Sequence, residues 1–154
     1  NSGFNLRSTD IAASIGLSQF KDLDKFIKTR NINRKKIINE LDKSKKIRDK
    51  ITVIKENDGV KASWFGVPII LSKKIKKNRF INKLEKNGVE TRPILAGNLA
   101  RHPVAEYFNE FKEYEFKGAD LIHNKGIYVG LSPFTEEYEI EKLINIMEDF
   151  FAKY

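Results

Sequence analysis

Apolar residues recur along this chain with two periods, one helical and one alternating, and the changes of period divide it into elements. Ile140, Leu143, Ile144, Met147, Phe150 and Phe151 fall at i, i+3, i+4, i+7, i+10 and i+11, the spacing of one helix face, and predict a last helix from about residue 135. Glu136, Glu137, Glu139 and Glu141 crowd its first turns, where they complement the helix dipole. At the other end, Thr9 or Ser8 can cap a first helix with Asp10 in its first turn and Ile11, Ile15 and Ser18 on one face. Gly16 and residues 20–22 mark a bend or break. A longer helix follows, because Leu23, Phe26, Ile27, Ile37, Ile38 and Leu41 return at helical spacing. Arg30, Asn31 and Arg34 interrupt that stripe, and the far end of the helix is expected to be solvent-exposed.

Residues 43–50 read as a charged connector, and 51–54 alternate as a short strand before the Asn57-Asp58-Gly59 turn. The stretch ASWFGVPIIL, 62–71, is apolar on both alternating faces, which predicts a strand covered on both sides. Pro68 cannot donate a ladder hydrogen bond, so this strand is expected beside an edge or a bulge. Ser72 then caps a helix through about residue 87, with Phe80, Ile81 and Leu84 buried and Gly88 as its left-handed stop. Residues 89–94 return as a strand, the loop LAGNLARHP leads to a helical turn near 104–108, a polar helix covers 119–124, and 126–129 form a last strand. This order predicts an α/β fold: a short, mostly antiparallel sheet covered by helices, mainly on one face.

A length of 154 residues suits one domain, 1–154, with one core. No apolar run approaches the roughly 20 residues of a membrane span, and the start NSGFNLRSTD lacks a signal-peptide pattern, so a cytoplasmic location and no membrane partner are the default expectations. With no Cys and only His102 and His123, thiolate-based metal sites are excluded and no metal is expected. The formal net charge of +8 leaves two readings open. The lysine runs KSKK and KKIKK are either solvated faces or an electrostatic footprint for an anionic partner, and a basic nucleic-acid-binding module is the competing non-enzyme reading. Trp64 and Phe65 sit in an apolar run without interleaved basic residues. They read as core rather than as a base-stacking platform, and no nucleic-acid partner is expected. There is no G-x-G-x-x-G after a strand and no phosphate loop ending in Gly-Lys-Ser/Thr.

Two places could carry chemistry. Asn5 and Arg7 lie just outside a helix start, where free N–H groups and the dipole favour anions; alternatively they satisfy turn and cap hydrogen bonds or solvent. Arg92 ends a strand and precedes a loop with Gly97, Asn98, Arg101 and His102, a site of function or an ordinary crossing loop. No acid pair or nucleophile with a nearby base stands out.

GFNLRSTDIAASIGLSQF, SWFGVPIIL, GVETRPILAGNLARHP and GLSPFTEEYEIEKLINIMEDFF, in this order, resemble the DegT/StrS-type sugar aminotransferases and within them the pyridoxamine-phosphate-dependent sugar 3-dehydratases. The resemblance covers nearly the whole chain, and TRPILAGN is the part that points to the dehydratases. It implies the C-terminal portion of an enzyme of the aspartate-aminotransferase fold, using pyridoxal 5'-phosphate or pyridoxamine 5'-phosphate. That enzyme would be a homodimer acting on a nucleotide-linked 4-keto-6-deoxy sugar to give a 3-deoxy sugar for surface polysaccharide. Residues 1–45 would be helical and face the dimer and cofactor, and 51–154 would form the α/β small domain. Asn5, and beside it Arg7, match the cofactor-phosphate position, and Arg92, Asn98 and His102 match a loop near the sugar nucleotide. The catalytic base, His in the dehydratases and Lys in the aminotransferases, would lie outside this chain, leaving the fragment inactive alone. The lack of Cys resembles the cluster-free branch, and GLSPFTEE departs from the aminotransferases' His-Pro-Gly-Leu-Thr segment.

Overall fold

The computed structural model describes residues 9–108 and 114–154; Asn5, Arg7 and the alternative cap Ser8 lie outside them. Helix α1, Asp10–Phe20, starts at Thr9, whose Oγ1 accepts from the Ala12 N–H at 3.2 Å. None of its side chains is buried, Ile11 and Leu17 being more than two-thirds exposed at 75% and 71%. Helix α2, Leu23–Lys43, buries Asn33, Arg34, Ile37 and Leu41. Its far half is therefore the packed half, contrary to the expectation of a solvent-exposed end. Ile37 and Leu41 dock on α5, Glu137–Phe151, and the connector that follows is not merely charged, because Ile47 within it is fully buried.

The sheet has four strands in the order β1-β2-β4-β3, every neighbouring pair antiparallel. They are β1 (Ile51–Val53), β2 (Gly66–Leu71), β3 (Thr91–Arg92) and β4 (Gly126–Gly130). Successive side chains alternate between faces. Val67, Ile69, Leu71, Ile127 and Val129 form one face and join the core with Phe80, Leu84, Met147 and Phe151. Phe80 centres its aromatic cluster, 5.0 Å from Phe150 and 5.1 Å from Phe151 between ring centroids. The other face consists of Gly66, Pro68, Ile70, Gly126, Tyr128 and Gly130.

Three boundaries differ from the sequence expectation. Strand β2 begins at Gly66 and is internal, between β1 and β4, so Pro68 lies at neither an edge nor a bulge. Helix α3, Lys77–Lys86, starts after Ser72. Ser72 N still donates to Lys50 O at 2.9 Å, prolonging the β1–β2 ladder, and Ser72 O accepts from Ile75 N in a turn that buries Ile75. Only Thr91 and Arg92 of the 89–94 stretch pair as a strand. Beyond β3 come two 3-10 turns, Leu99–Arg101 and Pro103–Tyr107, and helix α4, Lys117–Lys125. Helix α5 opens with Glu139 accepting from the Glu136 N–H at 2.9 Å, a reciprocal cap beyond the dipole role expected of the acidic run.

Candidate functional site

The sheet face opposite the Val67, Ile69 and Leu71 core carries one cross-strand row. Arg92 pairs with Tyr128, Tyr128 pairs with Pro68, and Ile54 continues β1 opposite Pro68, its N–H donating to Pro68 O at 3.2 Å. These four residues floor a cavity of about 500 Å3, walled by Trp64 and by Pro93, Ile94 and Leu95. The sheet thus sets out an apolar, partly aromatic trough with one guanidinium at its end.

Trp64 and Phe65 are not core as expected: Phe65 is 68% exposed and Trp64 half-buried. Both aromatics lie just before β2, Phe65 O still accepting from Leu131 N at 2.7 Å, and both meet the arginines that interrupt the α2 stripe. The Arg34 guanidinium lies 3.9 Å from the Trp64 ring centroid, and that of Arg30 lies 5.1 Å from the ring of Phe65. Burial pushes the Tyr128 hydroxyl's pKa up, against the opposing charge of Arg30, so Tyr128 remains a neutral phenol. Leu95 has φ 49 and is 92% exposed. A leucine in the left-handed region is strained, a condition concentrated at ligand sites.

Of the residues singled out in the sequence, Arg92 lines this cavity and pairs with Glu90. Asn98 does not line it. It is 3% exposed, caps the first 3-10 turn by accepting from Ala100 N at 2.9 Å, and donates to Asp120 Oδ1 at 2.8 Å. Arg101 forks onto the same carboxylate, Nε and Nη2 both at 2.8 Å. These bonds from Arg101 and then Asn98 hold the Asp120 carboxyl down at about 2. Asn98, Arg101 and Asp120 border a second, smaller cavity of about 290 Å3. His102 donates from Nε2 to Ala96 O at 2.7 Å and lies edge-on to His123, 6.3 Å away. His123 Nδ1 accepts from Asn98 N at 3.3 Å. Gly97, with φ 68, leaves that approach open, since a Cβ there would stand 2.7 Å from His123 Nδ1. The two histidines and Asn98 therefore fix the loop's shape, and Arg92 is the residue of this set that opens on the trough.

Chemically the trough can hold a ring through its aromatic walls and an anion through Arg92. Sequence reasoning missed Asp120, Tyr128 and the Arg34–Trp64 stack. The signal for the last was the polar interruption of an apolar helix stripe four residues apart, opposite two consecutive aromatics. Among the described residues no group of acidic, His or Cys side chains could hold a metal ion, and no helix is long and apolar enough to cross a membrane.

Residues 1–148 match the DegT/DnrJ/EryC1/StrS aminotransferase family. The chain is 32% identical over 149 residues to a GDP-4-keto-6-deoxy-D-mannose 3-dehydratase from Yersinia pseudotuberculosis, covering 95% of this chain and 36% of the relative. It is 29% identical over 155 residues to a lipopolysaccharide biosynthesis protein, RfbH, from Salmonella typhimurium, covering 97% and 34%. Its fold matches that of an E coli GDP-4-keto-6-deoxy-D-mannose-3-dehydratase with bound hydrated PLP at a TM-score of 0.76 and 23% identity, over 94% of this chain and 36% of that one. The chain thus spans little more than a third of the length of these relatives.

Proposed function

Because the chain belongs to the DegT/DnrJ/EryC1/StrS aminotransferase family, we propose that it is the C-terminal portion of a vitamin-B6-dependent nucleotide-sugar 3-dehydratase. Such an enzyme converts a nucleotide-linked 4-keto-6-deoxy sugar to its 3-deoxy product for surface polysaccharide. The observation that carries the reading is the 32% identity to the Yersinia dehydratase along 95% of the chain, together with a trough whose walls suit a sugar ring and whose end offers Arg92.

In this reading Arg92 binds the nucleotide's phosphates, Trp64 and Tyr128 face the sugar, and Asn98 with His102 shapes the loop beside it. The cofactor's phosphate needs neutral or cationic donors, and Asn5 and Arg7, set before α1, supply an amide and a guanidinium suited to it. A neutral amide binds phosphate without another full charge to desolvate. In this reading the partners of the pyridine ring and the catalytic base lie in chain outside this sequence. The cofactor, when bound, supplies the electron delocalisation that lets the C3 hydroxyl leave. The assembly is a homodimer in which Asn5 reaches the partner's cofactor.

The family's aminotransferases are the second reading, favoured by the family's breadth, and one experiment separates them. The full-length protein, incubated with pyridoxamine phosphate and GDP-4-keto-6-deoxymannose, should yield a 3-deoxy sugar. A 4-amino sugar as the sole product, formed with glutamate, would assign the aminotransferase reaction instead.

A further inference from the structure

Trp64 is the trough's aromatic wall, yet it lies ahead of β2, in a segment, 62–65, that α2 ties down. Asn31 Nδ2 donates to Ala62 O at 3.2 Å, Arg34 stacks at 3.9 Å on Trp64, and Arg30 covers Phe65. Arg34 makes a second contact that the ladder explains. With Thr52 opposite Ile70, Ile54 stands opposite Pro68. Ser72 N bonds Lys50 O and Ile54 N bonds Pro68 O, so the positions that exchange hydrogen bonds across β1 and β2 are 50/72, 52/70 and 54/68. At 54/68 the return bond requires an N–H on residue 68. Proline has none, and Arg34 Nη2 donates to the Ile54 carbonyl in its place.

We infer that Arg34 is a positioning residue of the trough: its guanidinium substitutes for the backbone donor that Pro68 lacks, and the same placement fixes Trp64 as the wall that a ligand meets. Pro68 can then stand in an internal strand and offer its ring as floor, while the carbonyl it would orphan stays satisfied. Arginine suits this double duty because its planar fork can stack and donate at once, which a lysine ammonium cannot. Arg34 is 6% exposed and its Nε has no partner among the described residues, so its burial is offset by these two contacts and by the nearby negative charge of Glu56. The consequence for ligand binding rests on the proposed reading of the trough; the link between Arg34 and Pro68 does not.

A double-mutant cycle tests that link. Trp64 is the single tryptophan of the sequence, so unfolding is followed by circular dichroism and the wall by Trp64 emission and acrylamide quenching. Arg34→Met should lower the folded-to-unfolded ratio by roughly tenfold or more, the worth of a hydrogen bond from a charged group. In the Pro68→Ala background, where residue 68 can donate to Ile54 itself, the same substitution should cost about tenfold less. An equal cost in both backgrounds overturns the inference. If Arg34→Met does not fold, Arg34→Lys serves: it should red-shift Trp64 emission and raise its quenching, and an unchanged indole signature overturns the inference. GDP-mannose is the probe for the ligand step. It should quench Trp64 in the wild-type chain and bind about tenfold more weakly to Arg34→Lys. A coupled cycle without GDP-mannose quenching upholds the positioning role and removes the trough as the nucleotide-sugar site; quenching with an uncoupled cycle does the reverse.

Discussion

The ring of Tyr128 lies where a side chain on Gly66 would have to stand: a Cβ on Gly66 would be 2.7 Å from Tyr128 Cε1 and 2.2 Å from the Val129 carbonyl oxygen. Glycine at 66 therefore lets the tyrosine lie across the strand and form the trough's floor. Its register partner Gly130 has nothing within 4 Å of its own Cβ position. Gly66→Ala should destabilise the fold by about 1–3 kcal/mol through overpacking against backbone, whereas Gly130→Ala should fall within about 0.5 kcal/mol of wild type. Urea midpoints of the two variants check this, and equal midpoints would show that Tyr128 is not braced on Gly66.

Asn98 ties its own 3-10 turn to α4: its side-chain amide takes the Ala100 N–H and gives to Asp120, and its backbone N–H donates to His123. Asn98→Ala leaves the half-buried Ala100 N–H and one Asp120 oxygen without their partner, at a cost of about 1–3 kcal/mol. Asn98→Asp keeps the cap but sets a second carboxylate against Asp120, so it should be no milder. Chemical denaturation of both variants decides between this loop-shaping role and direct ligand contact. A direct contact would lower nucleotide-sugar affinity with stability unchanged.

The elements themselves were legible because their signals are local. The α5 stripe and the Thr9 cap each depend on residues within one or two turns. What the sequence hid depends on partners distant along the chain. Pro68 argues against an internal strand until Arg34, 34 positions earlier, is seen to serve the opposite carbonyl. Trp64 and Phe65 look like core until β2 is found to begin at Gly66 and the α2 arginines are found to face them. Ile47, alone among lysines, has no periodicity to announce it. For the site, the Arg92-to-His102 segment was visible as a candidate, but its division into one trough-facing arginine and a buried bracing set follows from Asp120 and His123, which come from α4.

Asp120 sets a pH dependence. Its carboxyl is held at about 2 by Arg101 and then Asn98, below the usual unfolded value of about 3.9. Its contribution to stability is therefore complete above about pH 4 and is lost as pH falls from about 4 through about 2. Arg101→Gln should raise the Asp120 titration midpoint toward the ordinary range and move the loop's acid transition upward. Carboxyl carbon shifts of Asp120 report the midpoint directly; a midpoint unmoved by the substitution would mean that the fork does not hold it.

Ile47 anchors the connector between α2 and β1. It is fully buried although Lys45, Lys46 and Arg48 around it are exposed, and it packs into the same core as Leu41. Ile47→Ala should cost about 2–5 kcal/mol by opening a cavity, a large share of a small domain's stability. Lys45→Ala should change little. Paired thermal melts compare them, and a mild Ile47 variant would mean that the connector repacks.

Arg92 and Glu90 give opposite expectations for one ligand. They pair at the exposed edge strand, where an ion pair is worth at most about 1 kcal/mol, so an incoming phosphate displaces Glu90 at small cost and gains a charge-assisted bond. Arg92→Gln should weaken nucleotide-sugar binding by roughly tenfold or more, while Glu90→Gln, which frees the guanidinium, should tighten it by up to about fivefold. Both effects should shrink as salt screens the exposed charges, and neither variant should unfold more readily. Isothermal titration with GDP-mannose at low and physiological salt measures all of this. If Glu90→Gln weakens binding as much as Arg92→Gln does, the carboxylate rather than the guanidinium meets the ligand, and Arg92 serves only to hold it.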